Sequence, residues 1–197
     1  MRHRFALMTM LLLIMTGVCM TSCEKHEENY YFKQNCTAQL NGQSYIDQTR
    51  LESVMLPLAR ATPCLEHDGQ NYLCFTTELA KERDSAMEYY IDIYLNAESV
   101  TELVGKEILF KKESMPAQST NQSLSEYYRW LRENSYNYAH ITTDRYANEL
   151  AELGSFRIEF YDEKESLYCG SFSLQFSEGT MTGKFKVLPV DNNTENN

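Results

Sequence analysis

The chain has 197 residues, with 28 acidic against 18 basic side chains and a formal net charge of −10. That length suits one domain with short appendages, and 23% charged with 12% aromatic residues describes a globular chain rather than a disordered one. So acidic a balance argues against nucleic acid as a partner, which needs a basic face to displace counterions.

Residues 1–22 form the first segment. Arg2, His3 and Arg4 make a short basic start, and the stretch from Phe5 to Met20 is uncharged, with Leu11-Leu12-Leu13-Ile14 at its centre. Those 16 residues fall short of the ~20 that a mature membrane-spanning helix needs. A basic start, a short apolar run and small residues at its end predict a secretory signal. It closes on Met20-Thr21-Ser22-Cys23-Glu24, which resembles a bacterial lipobox. The resemblance implies that Cys23 is the lipid anchor: its sulfur takes a diacylglyceryl group and cleavage leaves it first. Two acyl chains give a durable hold where one is marginal, each buried methylene adding roughly 0.8 kcal/mol.

Residues 23–34 read as a lipidated tether. Its run Glu24-Lys25-His26-Glu27-Glu28 is similar to the export signal of Bacteroidota surface lipoproteins. That implies an outer-membrane protein on the cell surface, the alternative being the periplasmic face. Losing residues 1–22 removes two arginines and no acid, so the mature chain is more acidic by two charges.

Residues 35–190 read as a single β-rich domain. Cys36 to Leu40, Asn41-Gly42 and Gln43 to Asp47 predict a hairpin on a favoured turn dipeptide. Tyr72 to Leu79 and Tyr89 to Leu95 alternate with period two, as half-buried strands do. Lys81 to Ser85 between them is a polar turn. Ser99 to Glu102 before Gly105 suggests a single helical turn, and Ser123-Leu124-Ser125-Glu126 matches a capping box opening a helix of about ten residues that ends near Asn134. Leu124, Tyr127, Tyr128 and Leu131 would form its apolar face. Phe156, Ile158 and Phe160, then Phe172, Leu174 and Phe176, then Met181, Gly183, Phe185 and Val187 make three alternating runs joined by short turns. They predict an antiparallel meander with one apolar face. Residues 191–197 are polar and read as a disordered tail. Strands with one apolar face must bury it against another layer. The expected fold is therefore mainly β: an antiparallel two-layer β-sandwich, or alternatively a flattened barrel, with one short α-helix.

Four cysteines remain in the domain, an even number for an oxidising compartment. Cys64 and Cys74 flank the turn signal Asp68-Gly69, which favours a Cys64–Cys74 bridge. Cys36–Cys169 follows by elimination among the three pairings.

Chemistry-bearing motifs are sparse. No Gly-x-Ser-x-Gly elbow, Walker loop or dinucleotide fingerprint occurs, so no catalytic residue, metal ligand or cofactor is assigned. His67 falls in a presumed turn, and His140 in the strand Tyr138 to Thr142, where a hydrogen-bonded structural histidine is the ordinary reading. The turn Asp162 to Glu165 reads as solvated rather than as a calcium loop. Tyr90 and Tyr94 share the strand face opposite Ile91 and Ile93; with Trp130 on the helix they are the candidate ligand-binding residues, against the alternative that a helix or loop covers that face. Asp84-Ser85-Ala86 looks like the acceptor tripeptide for O-glycosylation in Bacteroidota, which points to Ser85.

The lipobox, the acidic tether, the Asn-Gly hairpin and the late Gly170-Ser171-Phe172 and Gly183-Lys184-Phe185 segments together resemble the small uncharacterised lipoproteins of Bacteroidota, domains of unknown function. The resemblance implies location and a β-rich fold, with no known activity. The leading expectation is a lipid-anchored cell-envelope protein, a non-enzymatic binding or interaction module for a glycan or protein ligand. The alternatives are an extracellular polymer hydrolase using a carboxylate pair and a structural subunit of an outer-membrane complex.

Overall fold

The computed structural model describes residues 34–47, 63–68, 71–82, 85–115, 123–143 and 148–190. The signal, Cys23, most of the tether and the C-terminal tail lie outside the described residues. Among those described, the strands are β1 (Asn35–Leu40), β2 (Gln43–Asp47), β3 (Cys64–His67), β4 (Tyr72–Ala80), β5 (Tyr89–Asn96), β6 (Glu107–Lys111), β7 (Tyr138–Thr142), β8 (Glu149–Leu150), β9 (Leu153–Asp162), β10 (Leu167–Phe176), β11 (Gly179–Val187) and β12 (Pro189–Val190). A 3-10 turn covers Val100–Leu103, and one α-helix, α1, covers Leu124–Glu133.

The strands form one curled, mainly antiparallel sheet in the order β6-β9-β10-β11-β1-β2-β4-β5-β7-β8, with β3 beside β4 and β12 parallel to β3. The sheet is a half-barrel whose two walls pack on each other as the expected layers would. Phe75 on β4 meets Phe156, Phe172 and Phe185 on the opposite wall at ring separations of 5.5, 6.0 and 4.6 Å, and Leu65, Ile91, Ile93, Leu174 and Met181 are among the fully buried residues around them. At the corner, Ala151 N–H donates to the Ala139 carbonyl on β7, and Glu152 N–H donates to Gln175 on β10.

Local chemistry sets the elements. Asn41 and Gly42 both have positive φ, 51° and 80°, the pair that a tight hairpin between β1 and β2 demands. The capping box of α1 is formed: Glu126 N–H donates to Ser123 Oγ and Ser123 N–H donates to the Glu126 carboxylate. Leu131 is buried beneath α1 and its tyrosines are half-buried, while Leu124 stands exposed instead of joining the apolar face.

Two expectations are corrected. Cys36, Cys64, Cys74 and Cys169 are all buried, and no disulfide joins any of them among the described residues. Cys36 sits opposite Phe185, whereas Cys169 sits opposite Lys186. β11 therefore separates the two, and the alternation of the pleat puts them on opposite faces, which no disulfide spans. Cys64 opposes Thr76 and Cys74 opposes Glu66, so these two are a diagonal step out of register on a shared face. The second correction concerns Phe160. A bulge opposite Cys169 and Gly170 shifts the pairing so that Phe156 and Ile158 point inward but Phe160 points out, 51% exposed.

Candidate functional site

Two cross-strand rows on the outer face of β4, β5 and β7 carry the polar and aromatic side chains of interest. In the first, Asp92 lies between Thr76 and His140; in the second, Tyr94 lies between Cys74 and Tyr138. Because residues on one face recur every second position, Asp92 is flanked along its own strand by Tyr90 and Tyr94.

Asp92 and His140 are both buried, yet each needs polar partners to be there. Thr76 Oγ1 donates to Asp92 Oδ1 at 2.6 Å, and His140 Nε2 lies 3.4 Å from Asp92 Oδ2. Burial pushes the His140 imidazole below the usual histidine range; the Asp92 carboxylate pulls the other way, and the Arg132 charge adds to the depression. Among the described residues, His140 Nδ1 and the Tyr128 hydroxyl are buried and meet no hydrogen-bond partner. Cys74 Sγ is 3.9 Å from Asp92 Oδ1, and burial first, then that carboxylate, drives its thiol far above the ordinary range. A thiol so held stays protonated and is a poor nucleophile.

α1 roofs this pair. Tyr94 and Tyr128 each stack on Tyr138, at 4.6 and 5.6 Å, and both approach the His140 ring at 5.5–5.7 Å. Removal of these phenols from water raises their pKa, Tyr128 to about 12. Arg132, from the last turn of α1, lies over the Tyr94 ring at 4.9 Å, donates from Nε to the Tyr138 hydroxyl at 2.9 Å and pairs through Nη1 with Asp68 at 2.6 Å. Its planar fork is thus fixed from three sides.

Beside this roof is a cleft of about 660 Å³ between α1 and the β4–β5 end, lined by Asn71, Tyr72, Asn96, Tyr128, Arg129, Arg132, Glu133 and two serines. The Tyr72 hydroxyl donates to the Tyr136 carbonyl, fixing its ring. Amides, hydroxyls, two guanidiniums and ring edges facing one hollow suit a polar ligand held by many directed hydrogen bonds. Among the described residues the cleft wall carries one carboxylate, Glu133, where carboxylate-pair glycoside chemistry uses two. No group of three or more His, Cys, Asp or Glu is placed to hold a metal among the described residues. The Asp162 carboxylate instead accepts from the Lys164 and Glu165 N–H groups within its own turn.

Of the sequence candidates, Tyr90 and Tyr94 do share the outer face with Asp92, but Tyr94 is stacked under the helix rather than offered to solvent. Trp130 is half-buried between Tyr127 and Tyr136, at 5.9 and 5.4 Å, away from that pair. The Ser85 hydroxyl donates to the Glu82 carbonyl in its turn; Asp84 lies outside the described residues. His67 ends β3, half-buried. Sequence reading missed the Asp92–His140 pair and Arg132. Asp92 between two tyrosines was the available signal, but its partner depends on which strand lies beside β5.

No family model, curated protein or solved structure matches this chain.

Proposed function

We propose that the chain is a lipid-anchored cell-envelope binding module, fastened through Cys23, and that its ligand site is the cleft beside α1. The ligand class is a neutral glycan. Arg132 is already matched by Asp68, and Arg129 is 3.9 Å from Glu133, so among the described residues the lining carries no surplus charge to select an ion. Asn71, Asn96 and the serines supply donors and acceptors for sugar hydroxyls, and Tyr72 and Tyr128 supply rigid ring edges. The observation that carries the reading is Arg132, preorganised by its three contacts at the cleft wall, since groups held before binding lose little entropy on it. The membrane is a partner through the lipid, and display on the cell surface is the location this reading favours.

A glycan array probed with the full chain in detergent tests it. Binding to a neutral oligosaccharide, weakened about tenfold or more by Arg132→Ala in a chain with unchanged circular dichroism, is expected from the loss of one fixed charge-assisted donor. Binding to no glycan, or binding that Arg132→Ala leaves intact, would overturn the assignment.

A further inference from the structure

The outward swing of Phe160 coincides with the place where the tether enters the domain. Asn35, the first residue of β1, is level with Lys186, which is level with Cys169, which is level with Phe160. This single row crosses four neighbouring strands on the outer face, so Phe160 lies three strand spacings, roughly 14 Å, from the start of β1. The adjoining row ends in Tyr161, 43% exposed, whose ring packs on Tyr168 at 4.8 Å. The two rings leave β9 on opposite faces, Phe160 outward and Tyr161 against Tyr168, and both stand at the end of the half-barrel from which the tether departs.

The bulge that produces this arrangement is costly to change. A Cβ on Gly170 would collide with the Arg157 carbonyl and the Phe185 ring, so the backbone there closes only around glycine. β-Bulges re-aim side chains and are built features of a sheet rather than faults. Here the bulge turns an aromatic ring that the strand pattern would bury towards solvent.

We infer that Phe160 and Tyr161 dock into the headgroup boundary of the membrane that holds the lipid, setting the domain on its tether end with the α1 cleft elsewhere on its surface. The inference rests on the anchored reading of Cys23. Ten residues, 24–33, separate that cysteine from Gln34, and an extended chain of that length reaches roughly 33–36 Å, more than enough to let this end meet the bilayer. Aromatic side chains with an apolar body suit such a boundary, and a second contact strengthens an acyl anchor. The turn between β9 and β10 carries Asp162, Glu163 and Glu165 against Lys164, with Lys186 paired to Glu165 at 2.7 Å. That acidic surplus fits a zwitterionic rather than an anionic surface.

The test uses the lipidated full chain with Trp130→Phe as background and Phe160→Trp as reporter, reconstituted in phosphatidylethanolamine–phosphatidylcholine vesicles containing brominated acyl chains. Leu109→Trp, at a more exposed site on β6 near the other end of β9, is the control, and Tyr161→Trp is the second reporter should the first not fold. Quenching about twofold or more stronger at 160 or 161 than at 109, and weaker when anionic phosphatidylglycerol replaces the zwitterionic lipid, is expected from interfacial insertion. Equal or absent quenching in a chain whose N-terminal mass carries the lipid overturns the docking and leaves the anchor standing. An N-terminus with no lipid mass overturns the anchor, and the docking with it.

Discussion

Arg132 makes three contacts that bind the site together. It ties α1 to the sheet through Tyr138, Asp68 and the Tyr94 ring. Arg132→Ala is expected to cost about 1–2 kcal/mol in denaturant unfolding, and Arg132→Lys to recover only part of it, because an ammonium lacks the planar fork. An equal loss for both would mean that the guanidinium geometry is irrelevant. His140 makes a pH prediction. Its folded pKa is depressed chiefly by burial, so below the unfolded value of about 6.5 the unfolded chain takes up a proton that the folded chain resists. Its contribution is fully present above that value and declines as pH falls through it. The slope of stability against pH between about 5 and 7 should therefore flatten in His140→Gln; an unchanged slope would show that the imidazole is not held neutral.

At the level of elements, turns and caps decide where strands and helix begin. Ser123→Ala removes half of the capping box and should destabilise the protein by about 1 kcal/mol, read as a shifted unfolding midpoint with an unchanged slope. Gly170→Ala attacks the bulge and should cost about 2 kcal/mol or more, since the colliding Arg157 oxygen is backbone. A neutral Gly170→Ala would mean the bulge relaxes freely. Much of this level was legible in the sequence: period-two runs for β4, β5, β10 and β11, Asn41-Gly42 for the first turn, and Ser123 to Glu126 for the cap all act over a few residues. The aim of Phe160 was not legible, because one extra residue in β9 reverses every later side chain, and nothing within β9 itself reveals a bulge set by Gly170 on its neighbour. On the short edge strand β6 the pleat buries Phe110 and leaves its neighbour Leu109 70% exposed.

For the whole molecule, the mainly β architecture followed from alternation and turn spacing. The candidate site did not, since Thr76, Asp92 and His140 meet only once β4, β5 and β7 are neighbours, and Arg132 arrives from a helix laid across them. Thiol placement failed for the same reason: elimination paired Cys36 with Cys169, and the sheet sets them on opposite faces with β11 between. Cys36, Cys64, Cys74 and Cys169 should accordingly react with an aromatic disulfide reagent only on unfolding, without prior reduction; fewer thiols after unfolding would reveal a bridge. The proposed display and the proposed docking of the tether end both depend on the sulfur of Cys23. Intact mass spectrometry of the N-terminal peptide from native cells measures it directly. A peptide beginning at Cys23 with diacylglyceryl and fatty-acyl mass is expected; a peptide beginning elsewhere, or one beginning there without that mass, would contradict lipid anchoring.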